Sequence, residues 1–337
     1  MSLRNIFSSP PSLVEDPKPR SLRWLRILIL LILFAANLGV WAYYLTSHKP
    51  LLAALPPVQQ ATRAVAPHYL FSIHGLQEPV GVAATSDGNR IYVAESGGER
   101  LIHAFDRDGK ELFNFAPPNS QPLTRAPIYV ALDSAGKVYV TDRLRHTVDI
   151  FDAGGNFLST LKPPTTDGWS PLGVRISDGN LLFTDVTDGK HRVLELASDG
   201  SVALKFGRQG NSNKNDELWF PNSMVTDARG RAYISDSNNA RIQILDANGK
   251  WSFTLRGFSL PRGLAIDESQ RLYVVDGIGQ LVRVFDVAGD QPVALFDFGD
   301  YGPGDGEFNY PNDVAVDSTD RLFVADRASN RVQVWSY

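Results

Sequence analysis

The chain has 337 residues, no cysteine, 28 glycines, 21 prolines and a formal net charge of −4. Disulfide and thiolate chemistry are excluded, and so much glycine and proline suits turns and short strands better than long helices. Seven of the 33 basic residues but only two of the 37 acidic ones fall in the first 63 positions, which leaves the remainder at −9. A segment that acidic is a poor partner for a phosphate backbone, so nucleic acid is not an expected ligand.

The first element in chain order is apolar. Residues 27–45, ILILLILFAANLGVWAYYL, form a 19-residue run without charge. At ~1.5 Å per residue, such a helix is about 28 Å long, close to the ~30 Å hydrocarbon core of a bilayer. Trp24 stands at one end and Trp41, Tyr43 and Tyr44 at the other, while Arg20, Arg23 and Arg26 crowd the N-terminal side. Aromatic rings favour the two interfaces, and positive charge stays inside. The competing reading, a cleaved signal peptide, wants a shorter apolar region and a small-residue site. The nearest candidate is Ala53-Ala54, followed awkwardly by Leu55-Pro56-Pro57. The expected organisation is therefore a cytoplasmic tail (1–21), one transmembrane anchor helix (22–46), a flexible linker (47–66) and an extracytoplasmic domain (67–337). That domain would face the periplasm or cell exterior. Asn37, inside the span, is suited to hydrogen bonding with another membrane helix.

From residue 67 onward one pattern recurs six times. Each copy opens at a proline: Pro79, Pro127, Pro171, Pro221, Pro261 and Pro311. A short apolar strand follows, then a polar turn, then a second strand closed by an acid, at Glu95, Asp142, Asp185, Asp236, Asp276 and Asp326. Third strands such as IQILD and VQVW come next. Turns such as Ala247-Asn248-Gly249 lead to fourth strands such as SFTL. Four antiparallel strands repeated every 40–50 residues predict a β-propeller. The sixth copy lacks a fourth strand, whereas residues 69–74 form an orphan strand ahead of the first copy. The N-terminal strand is thus expected to complete the last blade and remove the open sheet edges.

The copies Pro221–Asp246 and Pro311–Trp335, with PN…D…R…D…N-R-I/V-Q, resemble the NHL repeat family, as does the spacer FGDYGPGDGEFNYPN. The resemblance extends over 67–337 and implies an all-β fold: a six-bladed NHL-type β-propeller, here preceded by one transmembrane helix. It also implies that some relatives are enzymes, lyases and lactonases with metal at the channel mouth.

Topology brings the proline-side loops and the loops after the acids to one rim, here called the proline face, and the strand-one-to-two hairpins to the other. On the proline face Tyr129, Arg143, Asn222, Arg262, Asn312, Asp313 and Arg327 form the candidate ligand-binding rim, and of these Arg143, Arg262 and Arg327 stand out because the repeat does not explain them. The three arginines suit a carboxylate or phosphate through bidentate bonds, or else serve as solvated rim charges. Arg100, Arg241 and Arg331 fall five residues after Glu95, Asp236 and Asp326, which predicts an ion pair inside each blade. His146 and His191 occupy a repeat position ahead of third strands, held by Asn330 in the sixth copy, and His103 lies inside a strand. No catalytic residue, metal ligand set or cofactor is assigned. Asn312-Asp313 with Asn222 is the nearest approach to a calcium site, which needs six or more oxygens. Asp300, Asp305 and Glu307 lie in a glycine-rich connection between blades.

The functional expectation is a non-catalytic, membrane-anchored binding scaffold or sensor. Its partner would be a membrane or envelope protein, a glycan or a small anionic ligand. The alternative is a calcium- or zinc-dependent hydrolase or lyase at the channel mouth.

Overall fold

The structure is a computed structural model that describes residues 28–32, 34, 65–177 and 179–337. Residues 28–32 and 34 are helical. Most of the expected anchor helix lies outside the described residues, and among those described no helix is long and apolar enough to cross a membrane.

Residues Ala64–Tyr337 form one compact unit. Six four-stranded antiparallel sheets stand around a central channel, one per repeat. Their innermost strands begin at the repeat prolines: Pro79–Ala84, Pro127–Leu132, Pro171–Ser177, Pro221–Thr226, Pro261–Ile266 and Pro311–Val316. Each such strand is buried along most of its length. Proline fits this first position because the ladder there needs no N–H donor.

Blade six is completed by the strand His68–Ile73, which pairs with Arg331–Ser336. The ring is therefore closed by the chain's two ends, as expected from the orphan strand. Hydrophobic side chains gather in six clusters, one between each pair of neighbouring blades. The sixth joins Ile73, Val82 and Phe105 to Phe323 and Val332, across the closure.

The inner strands share one irregularity. In every blade, pairing with the second strand slips just after the proline, so that one extra residue bulges on the inner strand. Bulges re-aim side chains. Here the residues just after the prolines, Val80, Ile128, Leu172, Asn222, Arg262 and Asn312, line the channel mouth. Three of the freed N–H groups are recaptured by hydroxyls of the second strand. Tyr129 N donates to Thr141 Oγ1 (3.0 Å), Gly173 N to Thr184 Oγ1 (2.8 Å) and Ser223 N to Ser235 Oγ (2.8 Å).

Two positions past the proline, blades one, three and five carry Gly81, Gly173 and Gly263, whereas blades two, four and six carry Tyr129, Ser223 and Asp313. A Cβ on Gly81 would lie 2.7 Å from Cα of Tyr129, and one on Gly263 2.6 Å from Cα of Asp313. Neighbouring inner strands can approach this closely only because alternate blades lack the side chain.

The closing acids act as staples. Asp142 accepts from the backbone N–H of Ala126 (3.0 Å), Asp185 from Ser170 (3.0 Å) and Asp326 from Asn309 (2.7 Å), so each fixes the segment that leads into its own blade. The predicted ion pairs form for Arg241–Asp236 (2.7 Å) and Arg331–Asp326 (2.9 Å), both fully buried. The Arg100–Glu95 pair does not form. Arg100 instead donates to the carbonyls of Ser96, Pro122 and Arg125, while Glu95 turns to His103, 3.3 Å away. His103 takes the place of the arginine as the carboxylate's partner because it stands on the adjacent strand and faces Glu111 as well (2.8 Å).

Candidate functional site

The bulges and the loops after the acids enclose a cavity of about 270 Å³ on the proline face. Six of the seven residues singled out on this rim line it: Tyr129, Arg143, Asn222, Arg262, Asn312 and Arg327. The seventh, Asp313, does not. Its side chain is fully buried deeper in the channel, where it accepts from Val82 N (3.0 Å) and pairs with Arg175. The Val82 N–H and the Arg175 guanidinium hold it there, below the mouth that Asn312 lines.

The floor is a polar network. Tyr129, 1% exposed, donates its hydroxyl to Asn222 Oδ1 (3.4 Å) and accepts from Asn312 Nδ2 (3.5 Å). Burial, reinforced by the Asp313 carboxylate, holds this phenol well above its ordinary range, so it stays protonated. Asn312 Nδ2 also donates to the carbonyl of Val80 (2.7 Å), and Asn222 Nδ2 donates to Ser237 Oγ (2.7 Å). Arg262 then donates from Nε to Asn312 Oδ1 (2.9 Å) and from Nη1 to Asn222 Oδ1 (3.4 Å). Both amide oxygens are thus occupied by donors. Beneath them the Arg175 guanidinium stands 5.6 Å from the Tyr129 ring centre.

Arg143, Arg262 and Arg327 reach the cavity from blades two, five and six. Arg143 is exposed and lies over Phe220 (5.8 Å), and Arg262 lies over Tyr310 (5.5 Å). Among the described residues neither meets a carboxylate within ion-pair distance, whereas Arg327 pairs with the exposed Glu78 (2.8 Å). The lining contains no acidic residue and no histidine. Planar guanidinium forks over a donor-rich floor can hold an anion through several charge-assisted bonds.

Below this floor the channel wall is mixed, apolar inner-strand side chains together with Arg175, Ser177 and Thr226. Inner-strand residues such as Val82, Leu132, Ile266 and Val316 line a second cavity of about 240 Å³ toward the hairpin face. Arg175 is the residue that reading the sequence passed over. The corresponding positions in the other blades are Ala83, Ala131, Val225, Ala265 and Ala315, so a lone arginine there was a visible departure. The Gly/Tyr/Ser/Asp alternation two places past the prolines was equally visible.

His146 and His191 lie side by side in the repeat as expected, and each serves its loop. His146 Nδ1 meets Ser170 Oγ (2.9 Å), and His191 Nδ1 accepts from Phe220 N (3.2 Å). Asp305 accepts from Tyr69 and Glu307 from Gly304 N, both within the connection ahead of blade six.

Residues 308–335 match the NHL repeat. Human NHL repeat-containing protein 3 is 33% identical over 188 residues, which cover 50% of this chain and 52% of that protein. Protein SUPPRESSOR OF QUENCHING 1, chloroplastic, from Arabidopsis thaliana is 26% identical over 276 residues, covering 64% of this chain and 26% of that protein. The chain thus spans about a quarter to a half of these curated relatives. Among solved structures, a streptogramin B lyase superposes with TM-score 0.58 at 13% identity over 80% of this chain and 98% of its own. A chain of the Nidogen/Laminin complex superposes with TM-score 0.52 at 19% identity, over 67% and 92%. At such identities the likeness establishes the fold alone: an all-β, six-bladed propeller carrying an NHL repeat.

Proposed function

We propose that this propeller is a non-catalytic binding domain whose proline face captures an anionic group, either a small ligand or an acidic side chain of a partner. The observation that supports this reading is the convergence of Arg143, Arg262 and Arg327 from three blades on one cavity, two of them without a carboxylate partner among the described residues. The finer reading retains the membrane: residues 22–46 anchor the chain and the propeller works outside the cytoplasm as a scaffold or sensor. The strand His68–Ile73 is the outer strand of its blade, and its first residue, His68, lies at the hairpin face.

A calcium- or zinc-dependent lyase or hydrolase at the same mouth would need oxygen or nitrogen donors free to face a cation. Asn222 and Asn312 offer amide oxygens already bound by Arg262, and three guanidiniums occupy the space around them. This donor set does not fit either metal.

The test is thermal unfolding of the full chain at low ionic strength with citrate, phosphate, sulfate and a neutral polyol. Ligands that bind the native state raise the midpoint in a saturable manner. The proposal expects saturable stabilisation by at least one multivalent anion and none by the polyol. Equal responses to all four would refute it.

A further inference from the structure

A third cavity, about 430 Å³, opens on the same face between blades two, three and four. It shares Arg143 and Phe220 with the arginine-lined cavity, so the two are continuous at those residues. Its character is different. Trp169 and Phe220 supply aromatic surface, and Ser170, Thr187, Asp188 and Gln209 supply hydroxyl, carboxylate and amide groups of both hydrogen-bonding senses. Trp169 is braced edge-on against Phe183 (ring centres 5.4 Å apart), and its indole N–H is buried without a hydrogen-bond acceptor among the described residues.

We infer that this cleft and the arginine cavity together take an acidic saccharide, with a hexuronate carboxylate on Arg143 and its sugar ring in the Trp169 cleft. The inference rests on the anion-binding reading of the neighbouring cavity and names the ligand class. A sugar ring presents an apolar C–H face suited to an aromatic surface, and vicinal hydroxyls that both donate and accept. Asp188, exposed at the cleft, accepts from hydroxyls but repels a second negative charge. One carboxylate on an otherwise neutral, hydroxyl-rich ring therefore matches this cleft better than a phosphate-bearing ligand.

Isothermal titration of the full chain with methyl glucuronide, methyl glucoside and citrate decides the matter, repeated on Trp169→Ala, Asp188→Ala and Arg143→Ala. The uronide is expected to bind at least ~10-fold more tightly than the neutral glucoside, the difference that one charge-assisted contact supplies. Trp169→Ala should weaken the uronide by about 10-fold and leave citrate unchanged. Asp188 is exposed, so its loss does not threaten folding. Asp188→Ala should weaken the uronide several-fold while citrate holds or tightens. Arg143→Ala should weaken both. Citrate binding with no uronide binding, or a uronide affinity indifferent to Trp169 and Asp188, overturns the saccharide assignment and leaves anion capture standing. If neither binds, anion capture itself fails.

Discussion

Arg175 of blade three reaches across the channel to the carboxylate of Asp313 in blade six, the blade directly opposite. The pair spans the disc beneath the Tyr129 floor and is largely dry. Removing one member leaves the other charged and buried, at a cost of about 3–5 kcal/mol. Asp313→Ala should therefore lower the stability seen in urea unfolding by that order. The double variant Arg175→Leu/Asp313→Leu should recover much of the loss, because two apolar side chains suit the Val82, Leu132 and Ile266 wall.

The floor of the site depends on a second-strand hydroxyl. Thr141 Oγ1 accepts from the bulged Tyr129 N–H and donates to the carbonyl of Leu172 (2.7 Å). Thr141→Val keeps the shape but strands a buried donor and a buried acceptor. About 1–3 kcal/mol of stability is the expected loss, with anion affinity falling in parallel as Tyr129 shifts. An unchanged unfolding midpoint would show that the bulge holds without the hydroxyl.

His103 gives the protein a pH dependence of definite sign. Burial opposes its charging, but hydrogen bonds and charge from Glu95 and Glu111 outweigh that and raise its pKa above the ordinary histidine value. A raised histidine stabilises the fold fully below the unfolded-state pKa, about 6.5, and this contribution fades as pH rises through the higher folded value. Unfolding midpoints should fall as pH rises above about 6.5, and His103→Gln should flatten that slope. A steeper slope in the variant would contradict the assignment.

Closure is testable by deletion. Without residues 65–74, blade six would expose the edge Arg331–Ser336 and the cluster around Phe323 and Val332 would lose Ile73. Unpaired edges recruit other chains. Size-exclusion chromatography with light scattering should show association or loss of the folded species, whereas a stable monomer would mean that the ring tolerates an open seam.

The ring was legible in the sequence because its signals are local and repeated: proline, alternating apolar strand, turn, acid. Even the orphan strand before Pro79 was readable, since a blade short of one strand implies its donor. The pairs Arg241–Asp236 and Arg331–Asp326 followed from a fixed five-residue spacing across one hairpin. The same spacing failed at Arg100, because nothing in the repeat reveals that His103 competes for Glu95 from the next strand. The channel interior was harder. Asp313 reads as a rim residue beside Asn312, but its carboxylate is drawn below the rim by Arg175 and the Val82 N–H, partners that no local pattern reveals. Arg175 and its partner are 138 positions apart, a relation that only the closed ring creates.

The central claim is that Arg143 and Arg262 capture an anion on the proline face, and titration calorimetry of the full chain with citrate tests it most directly. Each charge-assisted contact contributes about 1.5–3 kcal/mol, and 1.4 kcal/mol is tenfold in affinity. Saturable binding by the native chain is expected, weakening with added salt as screening increases. In Arg143→Ala/Arg262→Ala it should be at least ~10-fold weaker, in a variant that still unfolds cooperatively but at a lower midpoint, because Asn312 and Asn222 lose the Arg262 donor. Citrate that binds the double variant as tightly as the native chain would place the anion elsewhere and contradict the account.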